Sequence, residues 1–387
     1  MVNPLFANMP ATIFEEMSGL AREHGALNLG QGFPDEPGPL AIREQAAFAT
    51  LNYDNQYPPS RGMPQLRAAV AKFYERQDLA IDWRSEVTIT SGATEALAAA
   101  FLTLVKPGDE VILFQPLYDA YAPMVKLAGG VPRLLRLEPP RWRFTQEALA
   151  AAFNDRTRVI VVNSPMNPSG VVLTQNELEQ IAALCVRHDV VAVCDEVWEA
   201  TVLRPAVHRP LMGFPGMRDR CVKIGSAGKL FALTGWKVGW MIAGPELSQA
   251  LARAHQFLTF TTAPNLQHAV AYGLENSEDW FLGMPQALSG SRARLRTALE
   301  AQGFAPLECE GTYFLCVDLA ASGIDEGDRD FCLRAVKEAG VAAIPVSAFY
   351  EQDPVTSIIR LCFAKSDETL EEGARRLAKA RTLSRNR

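Results

Sequence analysis

The chain has 387 residues and a formal net charge of −6, with 48% hydrophobic and 21% charged residues. This composition supplies enough apolar material for a large core, and it excludes a disordered or collagen-like chain. A modest acidic balance argues against nucleic-acid binding as the main activity. No stretch approaches the ~18 uncharged apolar residues of a membrane span, so no membrane partner is expected. The length predicts two to three domains.

The cysteines and histidines give no sign of a metal or disulfide framework. The seven cysteines are scattered, form no C-x-x-C pair and lie mostly in apolar runs, which favours buried, reduced thiols. The five histidines have no ligand spacing, so no metal site is predicted. Because the N-terminal segment lacks a basic residue before Glu15 and is interrupted by prolines, we expect no targeting signal and a cytoplasmic location.

Short apolar runs alternate with helical patterns in chain order from residue 65 to 255, which is typical of a mainly parallel sheet with helical crossovers. Predicted helices here are Gln65–Arg76, Ala93–Val105, Leu117–Ala128, Gln175–His188 and Pro245–His255. Predicted strands are Val87–Thr90, Glu110–Phe114, Val131–Leu137, Arg158–Asn163, Val190–Glu196, Cys221–Ser226 and Lys237–Ala243. Several of these strands are continuously apolar, which indicates a sheet covered on both faces.

After about residue 280 the pattern changes to an α+β unit on an antiparallel sheet. A long polar helix, Trp280–Gln302, comes first. Predicted strands follow at Gly311–Leu319, Val341–Ser347 and Ser357–Ala364, with a helix at Arg329–Ala339.

Two turns in the first half follow predicted strands. Ser91–Thr94 opens a helix, where free N–H groups bind anions and the small residues Gly92 and Ala93 let a phosphate approach. Ser91 and Thr94 are equally plausible as helix caps. Asn163–Gly170 lies where α/β proteins bind ligands, although the same residues also make an ordinary Pro/Gly turn.

Asp195 and Glu196 end an apolar strand, two residues before Trp198. A buried carboxylate needs a partner. Because no histidine or cysteine cluster supports a metal, a cationic partner is the more economical interpretation for this pair.

Lys229 lies between Gly228 and the apolar pair Leu230-Phe231, in a segment that also holds Ser226 and Lys237. An ordinary lysine pKa of ~10.4 leaves on the order of one amine in a thousand neutral at pH 7. Desolvation or a nearby cation such as Lys237 would lower that pKa and produce a nucleophile that forms a Schiff base. Ser226-x-x-Lys229 also matches a serine acyltransferase signature, but the companion Ser-Asp-Asn and Lys-Thr-Gly motifs are missing.

Together these motifs resemble the fold-type-I aminotransferases, which use pyridoxal 5′-phosphate. The order Ser91–Thr94, Asn167-Pro168-x-Gly170, Asp195, Ser226, Lys229 and Lys237 carries the resemblance. Asn28–Asp35, Thr234–Trp240 and His255–Phe260 are similar to the kynurenine and methionine aminotransferase branch. The resemblance covers about residues 14–370. It implies an α/β fold: a large domain at 45–279 with a mainly parallel seven-stranded sheet, and a small α+β domain from both chain ends, 1–44 and 280–387.

The resemblance also implies roles for the cofactor site. Lys229 would hold the cofactor as an internal aldimine and then move a proton between Cα and C4′. Asp195 would pair with the pyridine nitrogen, Asn167 would bond to O3′, and Tyr118 would stack on the ring. The phosphate would be held by Ser226, Lys237, the backbone of Gly92, Ala93 and Thr94, and Tyr57 of the other subunit, which implies a homodimer.

For the substrate, the resemblance implies that Arg360 binds the α-carboxylate as a bidentate fork. Gly32 and Asn167 would lie beside that carboxylate, and Phe14 would contribute to an apolar side-chain pocket. One position departs from the family pattern: Trp198 stands where a tyrosine usually donates to O3′. The indole N–H is also a donor, but it lies farther out on a larger ring.

These features predict a ping-pong transaminase acting on an apolar, aromatic or sulfur-containing L-amino acid and a 2-oxo acid. A cysteine-conjugate β-lyase on the same scaffold is one alternative. A pyridoxal-phosphate-binding regulator without catalysis is another, although the joint presence of Lys229, Asp195 and Arg360 argues against it.

Overall fold

The computed structural model describes residues 2–7 and 9–385. The strands are β1 Leu27–Asn28, β2 Val87–Thr90, β3 Glu110–Gln115, β4 Val131–Arg136, β5 Thr157–Asn163, β6 Val191–Asp195, β7 Cys221–Ser226, β8 Gly239–Ile242, β9 Ala305–Pro306, β10 Phe314–Asp318, β11 Val341–Ala342, β12 Ile344–Pro345 and β13 Ile358–Cys362.

The α-helices include three long ones, Gln175–His188, Pro245–Leu258 and Glu278–Ala301, that follow predicted helical patterns closely. In chain order they are α1 Pro4–Ala7, α2 Ile13–Glu23, α3 Leu40–Asn52, α4 Pro64–Glu75, α5 Trp83–Glu86, α6 Ala93–Leu104, α7 Tyr121–Leu127, α8 Gln146–Ala152, α9 Gln175–His188, α10 Ala227–Leu230, α11 Pro245–Leu258, α12 Pro264–Asn276, α13 Glu278–Ala301, α14 Asp328–Arg334 and α15 Asp367–Arg385.

The predicted strands of the middle segment are all present, as β2 to β8, and they form one sheet in the order β2-β8-β7-β6-β5-β3-β4. Strand β8 is antiparallel to both of its neighbours, and the remaining pairs are parallel. The expectation of a mainly parallel seven-stranded sheet is therefore confirmed.

Successive residues of the central strands pack against opposite layers of helices. In β5, Val159 and Val161 join a buried cluster with α6, α7 and α11. Ile160 and Val162 join the cluster formed with α4, α9 and α12. Because both faces of a strand are covered, the sequence must be apolar at every position, which explains the uninterrupted apolar runs.

The chain ends share a separate core. A four-stranded antiparallel sheet has the order β12-β13-β10-β9, while β1 pairs in parallel with β11. Ile13 and Met17 of α2 are buried in the same cluster as Leu361 of β13 and Leu370 of α15. Both ends of the chain therefore build one α+β unit, as the family resemblance implies.

Three predicted elements differ clearly from the structure. The helix predicted at Arg329–Ala339 is α-helical only over α14 and continues as a π-helix at Ala335–Ala339. The strand predicted at Val341–Ser347 is divided at Ala343, because β11 pairs with β1 whereas β12 pairs with β13. The helix predicted from Leu117 begins at Tyr121, and the residues before it form a loop at the end of β3 that is fixed by the Leu117 N–H donating to Phe349 O at 2.8 Å. Among the described residues, the helices are too short or too polar to cross a membrane.

Candidate active site

A cavity of about 210 Å³ lies at the carboxyl ends of β5, β6 and β7. Loops that follow parallel strands meet at this edge of an α/β sheet, and ligands bind there. The cavity is lined by the predicted cofactor residues Gly92, Ala93, Thr94, Tyr118, Asn167, Asp195, Trp198, Ser226, Lys229 and Lys237. These ten residues, which come from well-separated segments of the chain, thus meet at one site.

Asp195, the last residue of β6, presents one unpaired oxygen on the cavity wall. Its Oδ2 accepts a hydrogen bond from Tyr121 Oη at 2.5 Å, whereas Oδ1 is buried without a partner. Asn163 Nδ2 donates to the Asp195 carbonyl at 2.8 Å and fixes the backbone. Burial raises the pKa of Asp195, and the Tyr121 hydroxyl opposes that change. The unpaired oxygen is suited to accept a hydrogen bond from a protonated nitrogen of a bound ring.

Lys229 lies on the short helix α10 and is partly buried. Desolvation lowers its pKa to about 8, with Arg360 and Lys237 contributing in the same direction. At pH 7 about one amine in ten is then neutral, compared with far fewer for an ordinary lysine. The sequence-based expectation of a lowered lysine pKa therefore agrees with the electrostatics of the site.

The start of α6 forms the anion-binding end of the cavity. Gly92 has φ +79° and precedes the first helical turn, and a Cβ added there would lie 3.2 Å from Lys237 Nζ. Ser226 ends β7 beside it, so backbone N–H groups, a hydroxyl and an ammonium face the same region. The Ser91 hydroxyl points elsewhere, since its Oγ lies 3.0 Å from Thr259 Oγ1.

This arrangement fits pyridoxal phosphate. The unpaired Asp195 Oδ1 matches a protonated ring nitrogen, and the α6 terminus with Lys237 matches a phosphate. Lys229 supplies the amine that can form an imine with the aldehyde. Tyr118 supplies an aromatic face on the same wall.

Arg360 extends from β13 and meets the large-sheet residues at Asn167. Its Nη1 donates to Asn167 Oδ1 and its Nη2 to Gly30 O, both at 2.8 Å, while Nε is buried without a partner. The guanidinium carbon lies 3.8 Å from the Phe314 ring centroid and 5.2 Å from that of Phe14. Burial lowers the pKa of Arg360 to about 10, so the group stays charged at neutral pH.

Gly32 is placed beside this arginine cluster by close packing. A Cβ added to Gly32 would lie 2.7 Å from Phe314 Cζ, so a larger residue would displace the ring. Its carbonyl oxygen accepts from Tyr313 Oη at 2.7 Å and lies 3.4 Å from Lys229 Nζ. The predicted substrate residues Arg360, Gly32, Asn167 and Phe14 are therefore close to one another and to Lys229.

Tyr57 is the one predicted cofactor residue that the structure leaves outside the cavity lining. Its side chain is 82% exposed and contacts the Phe260 ring edge-on, with centroids 5.2 Å apart. Its predicted role depends on a second subunit, and within one chain it lies at the surface.

The sequence reasoning missed two tyrosines, Tyr121 and Tyr313. Tyr121 begins α7, and Tyr118 lies in the loop just before it, so the closeness of the two tyrosines in the sequence could have indicated that both face the same site. Tyr313 precedes β10 and reaches Lys229 only because the unit built from the chain ends packs against the large sheet. No local pattern reports that contact.

Below the cavity, three possible metal ligands also come together. Ligand atoms of Glu196, Glu199 and His208 lie within 4.8 Å of one another. The fully buried Lys223 ammonium contacts both carboxylates, at 2.7 Å in the case of Glu199. Although burial opposes it, Lys223 lowers the pKa of Glu196 to about 2. The position that a metal ion would occupy already holds a cation.

Comparisons with known proteins agree with this site. The family model described as aminotransferase class I and II matches residues 25–377. A probable N-succinyldiaminopimelate aminotransferase of Mycobacterium tuberculosis is 42% identical, with 95% of each chain covered. Human kynurenine–oxoglutarate transaminase 1 is 37% identical, with 94% of each chain covered.

A solved structure of an Escherichia coli methionine aminotransferase superposes with a TM-score of 0.94 at 39% identity, covering 98% of this chain and 99% of that one. These relatives all carry the names of aminotransferases, which favours transamination over the β-lyase and regulator alternatives. The chain belongs to the class I and II aminotransferases, as a fold-type-I pyridoxal-phosphate-dependent transaminase of the kynurenine and methionine aminotransferase-like branch.

Proposed function

We propose that this transaminase exchanges the amino group of a neutral L-amino acid, with an apolar, aromatic or sulfur-containing side chain, for the oxygen of a 2-oxo acid. The observation that carries the proposal is the meeting of Lys229 and Asp195 on one cavity wall, with Arg360 beside them. When bound, the cofactor supplies an electron sink for the carbanion that forms at the substrate Cα.

Each residue of the cofactor site has its own proposed role. With the cofactor bound, Lys229 would supply the amine that attaches it and would move the proton, and Asp195 would hold a proton on the ring nitrogen through its unpaired oxygen. Asn167 uses Oδ1 to accept from Arg360, which leaves its Nδ2 to donate to the phenolic oxygen. Tyr118 would pack against the ring, and Trp198 lines the same cavity. Ser226, Lys237 and the backbone of Gly92, Ala93 and Thr94 would hold the phosphate.

The proposed substrate preference follows from the charge of Arg360 and the aromatic rings around it. Arg360 takes the α-carboxylate, and the rings of Phe14, Phe314 and Phe349 surround its guanidinium. Of the described residues that line the cavity, Lys229 and Lys237 are the cations, and both already have a role. The aromatic surrounding of Arg360 suits an uncharged substrate side chain, so we propose neutral amino donors. The name of the methionine aminotransferase relative points the same way.

We also propose a cytoplasmic homodimer. Tyr57 and the 86% exposed Phe257 lie on an apolar edge that a second copy would cover, bringing Tyr57 to the partner's phosphate site. All seven cysteines are free and buried, which suits a reducing compartment.

Chemical trapping tests the assignment of Lys229. Borohydride reduction of the cofactor-loaded protein, followed by peptide mapping, is expected to place the label on Lys229. The Lys229→Ala variant is expected to lose turnover yet still bind the cofactor through its phosphate contacts, which come from other residues. A label on Lys237, or full activity of the Lys229→Ala variant, would contradict the proposal.

A panel of amino donors tests the substrate class. Conversion of the bound cofactor to its amine form is followed by absorbance, with methionine, phenylalanine, kynurenine, glutamine and aspartate. We expect the neutral donors to react faster than aspartate. Pyruvate release from a cysteine conjugate without an oxo acid is measured in parallel, and a dominant release would favour β-elimination instead.

A further inference from the structure

The amine of Lys229 is enclosed by two aromatic side chains that have different roles. We propose that Trp198 and Tyr313 form a holding position for this amine whenever it is not bonded to the cofactor, and so keep it in place for proton transfer. The inference rests on the proposed function, because it concerns the lysine that carries the imine. Both residues are positioning residues in this account.

The contacts define the holding position. Lys229 Nζ lies 4.4 Å from the centroid of the Trp198 ring and 3.2 Å from Tyr313 Oη. The two rings meet edge-on with centroids 4.6 Å apart, and both side chains are almost fully buried. Buried aromatic rings that pack against each other have few alternative rotamers, so the position of the amine is fixed by a rigid wall.

Tyr313 can act only as an acceptor toward Lys229. Its hydroxyl proton is donated to Gly32 O at 2.7 Å, which leaves an oxygen lone pair facing Lys229 Nζ. Burial raises the pKa of Tyr313 well above its ordinary value, so the phenol stays neutral. Tyr313 therefore binds an N–H of the amine and adds no charge.

Trp198 acts through its ring face. An indole ring attracts a cation more strongly than a phenol or phenyl ring does. The other charged or titratable groups that act on Lys229 are Asp195 on β6, Lys237 at the start of the segment that leads into β8, and Arg360 and Cys362 on β13. Desolvation and the two cations favour the neutral amine, whereas Trp198 and Tyr313 favour the ammonium form.

These opposing effects on the protonation of Lys229 suit a group that accepts and returns a proton. An acid–base catalyst works best when its pKa lies near the working pH, because both forms are then available. Without Trp198 and Tyr313, desolvation would act with less opposition, and the lysine would bind its proton less readily. The large indole at position 198 thus has a role on the lysine itself.

The pKa of the Lys229 amine in the full chain freed of cofactor tests the proposal. Trace acetylation with acetic anhydride across a pH series, read by mass spectrometry of the Lys229 peptide, gives this value. In the Tyr313→Phe and Trp198→Phe variants we expect the pKa to fall by about half a unit or more, because an acceptor or the preferred ring face is lost.

Matched controls separate this effect from general loosening. Tyr350→Phe removes a partly buried hydroxyl that also donates to a carbonyl, Leu137 O at 2.9 Å, and Trp142→Phe alters a fully buried indole. Neither control is expected to move the Lys229 pKa. If Trp198→Phe does not fold, Trp198→Tyr keeps a ring at the position and is expected to give a smaller fall.

A Lys229 pKa that stays unchanged in folded Tyr313→Phe and Trp198 variants would overturn the proposal, as would an equal fall in the controls. Failure of the proposed function would be seen elsewhere, as a cofactor label on a different lysine. The two results are therefore read from different measurements.

Discussion

Arg360 is a fully charged group in surroundings that are mostly aromatic. Its side chain is 1% exposed, and two of its donors are already fixed by Asn167 and Gly30. A planar guanidinium held in this way presents its remaining N–H groups in one direction, as a fork that matches a carboxylate. A lysine at this position would offer a point charge on a flexible chain.

We therefore expect Arg360→Lys to raise KM by about 10- to 100-fold, the range that follows from losing a charge-assisted hydrogen bond. The factor is expected to be similar for every amino acid in the panel, because all of them share the α-carboxylate. Steady-state kinetics measure it, with Arg156→Lys as the control, since Arg156 is an exposed arginine that pairs with the buried Glu110. Unchanged KM values would show that the carboxylate is bound elsewhere.

The bond from Tyr121 to Asp195 also permits a prediction. Tyr121→Phe removes the donor to Oδ2, so the pKa of Asp195, already raised by burial, is expected to rise further. A carboxylate that protonates more readily binds the cofactor ring nitrogen less firmly, and we expect roughly tenfold weaker cofactor binding. Equilibrium titration with pyridoxal phosphate measures this change.

Tyr350→Phe serves as the control for Tyr121→Phe, since it removes a hydroxyl far from Asp195. Cofactor affinity equal to that of the parent protein in Tyr121→Phe would show that this contact is only structural.

Sequence reasoning succeeded for residues whose position follows from local order. Asp195 ends an apolar strand and Asn167 lies in the loop that follows another, and the edge of a parallel sheet brings such residues together. Tyr313 could not be found in this way, because its partner Gly32 lies 281 residues away in the chain. That contact depends on how two separate cores pack.

At the level of elements, β6 and β7 are joined by more than their backbone ladder. Lys223, in the middle of β7, is completely buried and pairs with Glu196 just beyond the end of β6 and with Glu199. The sequence predicts this strand and a cationic partner for the Asp195–Glu196 pair, but the aliphatic neighbours of Lys223 conceal that this lysine is the partner of Glu196. A buried charge left without its partner is strongly destabilising.

Glu196→Gln is therefore expected to destabilise the protein by about 3 kcal/mol at pH 7. The folded pKa of Glu196 is about 2, below its ordinary value of 4.5, so its stabilisation is present above pH 4.5 and is lost as the pH falls toward 2. The difference between variant and parent should accordingly shrink on acidification. Denaturant unfolding at several pH values measures it.

Glu300→Gln, at an exposed helical pair with Arg296, is the matched control, and little change is expected there. A stability difference for Glu196→Gln that does not depend on pH would contradict the assignment.

The apolar pattern of the sequence located some strands better than others. The central strands of the large sheet were located because nearly every position is buried, whereas the division at Ala343 was not. That division arises from a change of hydrogen-bonding partner, which leaves the apolar pattern of the segment unchanged.

For the whole molecule, the predicted division into 1–44, 45–279 and 280–387 stays a proposal. The first boundary falls inside α3, and Ile42 and Ala46 of this helix both pack in a core of the large sheet. A boundary just before α3 therefore agrees better with the packing. The boundary at residue 280 lies near the start of α13.

Mixing subunits tests whether Tyr57 acts across a dimer. Tyr57→Phe and Lys229→Ala chains are each expected to be weakly active or inactive at limiting cofactor. After random exchange of equal amounts, about a quarter of the sites would combine an intact Lys229 with an intact Tyr57 from the other chain. Activity should then recover after mixing. No recovery, with exchange verified by mass, would show that Tyr57 does not act in the neighbouring subunit.

The burial of every thiol has a practical consequence for following the motions of this enzyme. Cys185, Cys194 and Cys221 lie in the core of the large sheet, whereas Cys309, Cys332 and Cys362 lie in the core built from the chain ends. Cys316, on β10, packs where the two cores meet. An alkylating reagent can reach each thiol only when its own core opens. The chain thus contains two sets of cysteines whose alkylation rates report on different cores. The order in which peptides from the two sets become labelled reports which half of the molecule opens first.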